Sequence, residues 1–153
     1  MEPLRVLFVC THNSARSQMA EGMLRAWGGE QFSAYSAGLD PSDIRPEAVK
    51  AMAEIGIDIS QQQSKTIERF VEQPFNWVIT VCDYSRQHCP VFSGADASAH
   101  WAVDDPSEIT GSEEERLNAF RQARDDLRSR MRMFILAASR DDLPRPSETV
   151  IGR

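Results

Sequence analysis

Nowhere in the 153 residues does an apolar run approach the ~20 positions that a bilayer-spanning helix needs. Basic charge is also in deficit: 17 Lys and Arg stand against 23 Asp and Glu, for a formal net charge of −6. A general nucleic-acid binder is not expected, because the phosphate backbone rewards a clustered positive surface. Cysteine is scarce and odd in number, three in all, which makes a poor disulfide framework. There are no repeats. The start, Met1-Glu2-Pro3-Leu4, leads into a strand-like run and not into a signal peptide. The expectation is a cytoplasmic, monomeric protein with no membrane or nucleic-acid partner, in which each cysteine needs its own explanation.

What is present is ordinary globular composition, 41% hydrophobic and 26% charged, at a length that suits one domain. Leu4 to Val9 is a nearly continuous apolar run, the pattern of a strand buried on both faces of a parallel sheet. A polar loop follows, and then Met19, Ala20, Met23, Leu24 and Trp27 recur at helical spacing until Gly28-Gly29. Phe32 to Ala37, ended by Gly38, reads as a second strand. Pro46 opens a second helix, with an apolar stripe of Val49, Met52 and Ala53, stopped by Gly56. Asn76 to Val81 reads as a third strand and Ala99 to Val103 as a weaker fourth. Gly111 to Arg140 is the longest helix, with a capping box of Ser112 and Glu115. Its inner face is Leu117, Phe120, Leu127, Met131, Phe134, Ile135 and Ala138, and its many Arg and Asp residues read as a solvated face. Phe70, Phe75, Phe92 and Trp101 are expected to pack in the core, and His100 to be structural. The domain is expected to span residues 1–140, with 141–153 a mobile tail rich in Pro, Ser and charge. Strands alternating with helices predict a small α/β domain with a parallel sheet, in which ligands sit beyond the carboxyl ends of the strands. Cys10, Cys82 and Asp105 all fall just past predicted strand ends.

The strongest feature is Cys10-Thr11-His12-Asn13-Ser14-Ala15-Arg16-Ser17, between the first strand and the first helix. Successive N–H groups of such a loop form a nest for an anion, and the helix starting near Ser14 adds its positive end. Arg16 offers a planar fork for two oxygens of a tetrahedral oxyanion. The same field favours the thiolate of Cys10, the nucleophilic form. Ser17 is placed to hydrogen-bond that thiolate, Asn13 to tie the loop to its surroundings, and His12 to lie on the rim.

The run from Val9 to Gly22 closely resembles the anion loop of the low-molecular-weight tyrosine phosphatase superfamily. Its Ser17-Gln18-Met19-Ala20-Glu21-Gly22 resembles the arsenate reductase branch coupled to thioredoxin. The resemblance extends through Tyr35-Ser36-Ala37-Gly38, Gly56-Ile57-Asp58-Ile59-Ser60, Cys82, Cys89 and Asp104-Asp105-Pro106, over roughly residues 4 to 138. It implies a four-stranded parallel sheet flanked by helices. It also implies Cys10 as nucleophile, the loop from Thr11 to Ser17 as oxyanion site and Asp105 as proton donor. Cys82 and Cys89 are then successive resolving thiols, through a transient Cys10–Cys82 disulfide and a Cys82–Cys89 disulfide. Arsenate is the implied substrate and thioredoxin the implied reductant. If the segment from Cys82 to Cys89 is helical, residues seven apart lie ~10.5 Å apart along the axis. A disulfide needs Cα atoms within ~7 Å, so the segment would unwind on oxidation. A zinc site that adds His88 reaches three ligands with no obvious fourth.

Two departures from the family pattern matter: His12 stands where glycine is common, and Ala15 where a further cysteine is common. Asn13, Glu21 and Ser36 match a potassium site found in some relatives, but Lys65 falls near the expected acidic ligand. No specific metal and no bound cofactor are therefore expected. Three rival readings remain. A phosphotyrosine phosphatase needs Cys10, Arg16 and Asp105 but has no use for Cys82 and Cys89, and Ser107 replaces the tyrosine that usually follows the Asp-Pro pair. A non-enzymatic redox sensor would keep the thiol switch without turnover. A small-thiol-coupled relative would typically lack the second and third cysteines.

Overall fold

The computed structural model describes residues 2–82 and 95–139. Four strands, β1 (Leu4–Cys10), β2 (Phe32–Gly38), β3 (Phe75–Cys82) and β4 (Ala95–Ala102), form one parallel sheet in the order β2-β1-β3-β4. Among the described residues three α-helices accompany them: α1 (Arg16–Gly28), α2 (Pro46–Ala53) and α3 (Glu113–Ser139). Leu4 pairs with Phe32 and Cys10 with Gly38, Val9 pairs with Thr80, and Cys82 pairs with Ala102. All four strands therefore end at one edge of the sheet, with Cys10 and Cys82 at the carboxyl ends of the two central strands.

Alternate residues of β1 serve opposite faces, as a strand covered on both sides requires. Val6 and Phe8 join Met19, Met23 and Leu24 of α1, Ala48, Ala51 and Met52 of α2, and Phe120, Leu127 and Met131 of α3 in one cluster. Leu7 and Val9 join Ala37, Phe75 and Val78 in another, closed by Ile67 and Phe70 from a single-turn helix, Ile67–Phe70. The rings of Tyr35, Phe70 and Phe75 meet edge to face there. Each fully buried aliphatic or aromatic side chain contributes ~1.5–3 kcal/mol, and the central Phe8 is wholly enclosed.

Several details correct the sequence reading. The fourth strand begins at Ala95, not Ala99, and ends at Ala102. Its first half has small residues of low strand propensity, and is held by pairing with Phe75 to Ile79 of β3. Helix α1 starts at Arg16, two residues later than expected, because Asn13 and Ala15 take non-helical backbone angles. Ala53 is exposed, and the buried face of α2 is Ala48, Ala51 and Met52. The polar face of α3 is not wholly solvated: Arg124 is buried, where it donates to the Ala51 carbonyl at 2.9 Å and pairs with Glu54 at 2.8 Å. The capping box is present, with Ser112 N–H to Glu115 Oε1 at 3.0 Å and Glu115 N–H to Ser112 Oγ at 3.1 Å. Phe70 and Phe75 are core residues. Trp101 packs partly buried against Phe8 and Phe134, and His100 is bound to Thr80 at 2.8 Å. Phe92 and the tail 141–153 lie outside the described residues. No helix among the described residues is long and apolar enough to cross a membrane.

Candidate active site

The loop from Thr11 to Ala15 is defined by where its carbonyls go. Thr11 C=O accepts from Asp40 N–H at 2.9 Å, His12 C=O from Ser42 N–H at 3.0 Å, and Ser14 C=O from Arg45 N–H at 2.9 Å. Asn13 C=O accepts from Ser64 Oγ at 3.0 Å and Gln18 Nε2 at 3.1 Å. In a planar trans peptide the N–H opposes the C=O. Four carbonyls drawn outward thus turn the N–H groups of His12, Asn13, Ser14 and Ala15 toward the enclosed side. Ala15, the N-cap of α1, offers no side-chain acceptor, and the first turn of the helix holds no acidic residue. The first helical N–H groups thus receive no acceptor from the N-cap side chain.

Asn13 makes the sharpest bend, with φ of 50°. That is the left-handed region, which asparagine tolerates better than most residues. Its side chain is fully buried and spoken for: Oδ1 accepts from Gln18 Nε2 at 2.9 Å and from Lys65 N–H at 2.8 Å, and Nδ2 donates to Ser17 Oγ at 2.8 Å. Ser17 Oγ in turn shares a hydrogen bond with Cys10 Sγ, 2.8 Å away. The chain Asn13 to Ser17 to Cys10 thus ties the loop to the sulfur at the buried end of β1.

Gly38 sits at the end of β2, directly beside the loop. A Cβ there would lie 2.7 Å from Asn13 N, 2.8 Å from Thr11 O and 2.9 Å from Cys10 O. Only glycine permits this approach.

Arg16 is buried at the start of α1. One Nη donates to Val103 C=O at 2.8 Å and the other lies 3.5 Å from Asp105 Oδ2, so the guanidinium spans from the loop to the end of β4. Asp105 caps a short turn, Pro106–Glu108, and its Oδ1 accepts from Ser107 N–H at 3.0 Å and Ser107 Oγ at 2.7 Å. His12 is exposed, with Nδ1 3.0 Å from Asp40 C=O, and stands on the rim as expected. Thr11, Ser14 and Ala15 shape the loop through their backbone.

Beneath the loop, Lys65 Nζ lies 3.5 Å from Glu21 Oε1 and donates to Gln63 C=O at 2.6 Å. Glu21 also accepts from Ser36 and Arg25. Burial pulls the Lys65 ammonium below the usual lysine range, and the Glu21 carboxylate opposes that shift. The ammonium thus stands beside the Glu21 oxygen that also accepts from Ser36. Among the described residues no group of three or more His, Cys, Asp or Glu is arranged to hold a metal ion.

Cys10, Ser17 and Asn13 are joined by hydrogen bonds, and Arg16 pairs with Asp105. Cys82 lies at the end of the strand beside β1, two residues past the Val9–Thr80 pair; its side chain, and His88 and Cys89, lie outside the described residues. Sequence reasoning missed Gln18, Ser64, Gly38 and the Val103 carbonyl. Gln18 carries a signal, since it sits among the buried positions of an amphipathic helix where an amide needs partners. Backbone acceptors carry none.

The chain is 42% identical over 129 residues to a protein named arsenate reductase from Halalkalibacterium halodurans, covering 84% of this chain and 93% of that one. Among solved structures, an arsenate reductase in the phosphate-binding state shares 34% identity and superposes with a TM-score of 0.75, covering 87% of this chain and 97% of the other. A thioredoxin-dependent arsenate reductase from Corynebacterium glutamicum shares 26% identity with a TM-score of 0.58, covering 86% of this chain and 63% of its own. Residues 5–143 match the model of the family described as low molecular weight phosphotyrosine protein phosphatase, and a match over that much of the sequence means that the chain belongs to this family.

Proposed function

We propose that this protein reduces arsenate to arsenite with its own cysteines and takes the electrons from thioredoxin. The observation that carries the reading is the anion loop that begins at Cys10, with Cys82 closing the adjacent strand. The relatives named arsenate reductase, one of them thioredoxin-dependent, support it.

Arsenate enters as a tetrahedral oxyanion, held by the inward N–H groups and the Arg16 guanidinium, which also stabilise the charge of the transition state. The Cys10 thiolate attacks arsenic and an As–S bond forms. Asp105 gives its proton to the departing hydroxyl, which leaves as water. The Cys82 thiolate attacks Cys10 sulfur, and the As–S electron pair moves to arsenic, which departs as arsenite. Cys89 attacks Cys82 in the resulting disulfide and frees Cys10. The dithiol of thioredoxin reduces the Cys82–Cys89 disulfide and completes a two-electron cycle. No flavin, nicotinamide or resident metal is required. A reducing cytoplasm keeps the three thiols free, and one chain suffices for the relay.

The test is arsenite production with thioredoxin, thioredoxin reductase and NADPH. Cys89→Ser is expected to complete one turnover and accumulate a Cys10–Cys82 disulfide, seen as a single intramolecular cross-link by peptide mass spectrometry. Steady turnover in that variant refutes the relay. A loop of backbone donors also accepts phosphate, so slow aryl phosphate hydrolysis that needs Cys10 but neither Cys82 nor Cys89 accompanies this reading.

A further inference from the structure

Nothing in the mechanism above says which oxygen of Asp105 carries the proton, or what holds the carboxyl in place. Oδ1 accepts two hydrogen bonds, from Ser107 N–H at 3.0 Å and Ser107 Oγ at 2.7 Å. Oδ2 faces the Arg16 guanidinium at 3.5 Å. We propose that the Ser107 hydroxyl is a positioning residue for proton transfer: it occupies Oδ1, fixes the carboxyl rotamer and leaves Oδ2 as the oxygen that holds and delivers the proton. The inference rests on the reading of Asp105 as proton donor to arsenate.

Hydrogen-bond capacity distinguishes the two oxygens. An oxygen that already meets two donors is a poor seat for a third hydrogen, because a protonated Oδ1 would turn its O–H against them. Oδ2 meets a single guanidinium nitrogen, at 3.5 Å, and keeps a lone pair for the proton on the side of the chain that spans to the anion loop. The backbone N–H of residue 107 is available whatever its side chain; the second donor is not. With alanine there, one bond to Oδ1 remains and the carboxyl is freer to turn about its Cβ–Cγ bond, so the proton is shared between two oxygens, one of which faces away. Geometric misplacement of this kind lowers the rate of the chemical step without weakening capture of the anion. The same side chain thus has a positive role: where an aromatic residue after the Asp-Pro pair would wall a slot for a phenyl group, serine holds the acid.

The experiment measures arsenite formed in a single turnover by the fully reduced protein, without thioredoxin, across a range of arsenate concentrations. Asp105→Asn is expected to slow the turnover by ~10²-fold or more, the contribution typical of a general acid. Ser107→Ala is expected to slow it by about tenfold, a fraction of that contribution, with the half-saturating arsenate concentration unchanged. Ser107→Thr, which keeps the hydroxyl at a half-buried position, restores most of the rate. The decisive comparison is the double variant, Asp105→Asn with Ser107→Ala: a residue that acts only through Asp105 makes it no slower than Asp105→Asn alone. A Ser107→Ala rate equal to wild type, or a further loss on top of Asp105→Asn, overturns the inference alone. A wild-type protein that forms no arsenite overturns the proposed function and this inference with it.

Discussion

Gly38 offers a sharp test of the anion loop, because the obstacle to a side chain there is entirely backbone. In Gly38→Ala the new Cβ meets Asn13 N at 2.7 Å, Thr11 O at 2.8 Å and Cys10 O at 2.9 Å. No rotamer change relieves these contacts, so the loop must recede by roughly half an ångström or more, an overpacking that typically costs ~1–3 kcal/mol. For a domain of this size that lowers the melting temperature by about 2–12 °C. The larger effect falls on the site. The atoms displaced are those that aim the N–H groups and carry the sulfur, and a shift of ~1 Å in a reacting geometry can cost ~10²-fold. A smaller shift is expected to weaken phosphate binding, measured by calorimetry, by roughly tenfold and the single-turnover rate at least as much. Gly29→Ala is the control. Gly29 has φ of 63° and ψ of −146°, backbone that is essentially glycine's alone, and nothing within 4 Å of its added Cβ, so alanine there costs ~1–3 kcal/mol of backbone strain and should destabilise without touching phosphate affinity. If Gly38→Ala binds phosphate as tightly as wild type, the placement of the loop against β2 is wrong.

Two further expectations concern charge. Hydrogen bonds from Arg121, then Arg124, pull the exposed Glu54 carboxyl from 4.5 down to about 2. A folded value below the unfolded one stabilises fully above about pH 4.5, and that contribution fades as pH falls toward 2; the melting temperature of Glu54→Gln should therefore trail wild type at pH 6 and meet it near pH 2, and an undiminished gap at pH 2 would contradict the pairing. With the Lys65 ammonium beside Glu21, exchanging NaCl for KCl at constant ionic strength is expected to leave both melting temperature and KM for arsenate unchanged; a clear rise in stability with potassium would show a bound cation there.

The parts of this protein that were legible in advance are those in which residue type and local pattern act together. The strand from Leu4, the loop from Cys10 to Ser17 and the Ser112–Glu115 cap each combine a period with a residue suited to one role, and each is found in place. β4 was half-read because Ala95 to Ser98 has no strand-forming side chains; its register comes from β3, which no local pattern reports. Arg124 looked like solvated charge because only the packing of α3 on α2 reveals the Ala51 carbonyl it satisfies. Gln18 and Ser64 were missed for a like reason: their partners are backbone oxygens and amides of residues distant in sequence.

The outward-bound carbonyls of residues 11–14 carry a consequence for how such a protein can change. In the proposed cycle capture of the oxyanion falls to Arg16 and to main-chain groups, whose direction is set by hydrogen bonds from residues 40, 42, 45 and 64 and from Gln18. The side chain of His12, exposed on the rim, takes no part in aiming them. In the proposed cycle the chemistry of the gripped ion falls to side chains, Cys10 at the end of β1 and the groups at the ends of β3 and β4, so one grip can serve more than one chemistry.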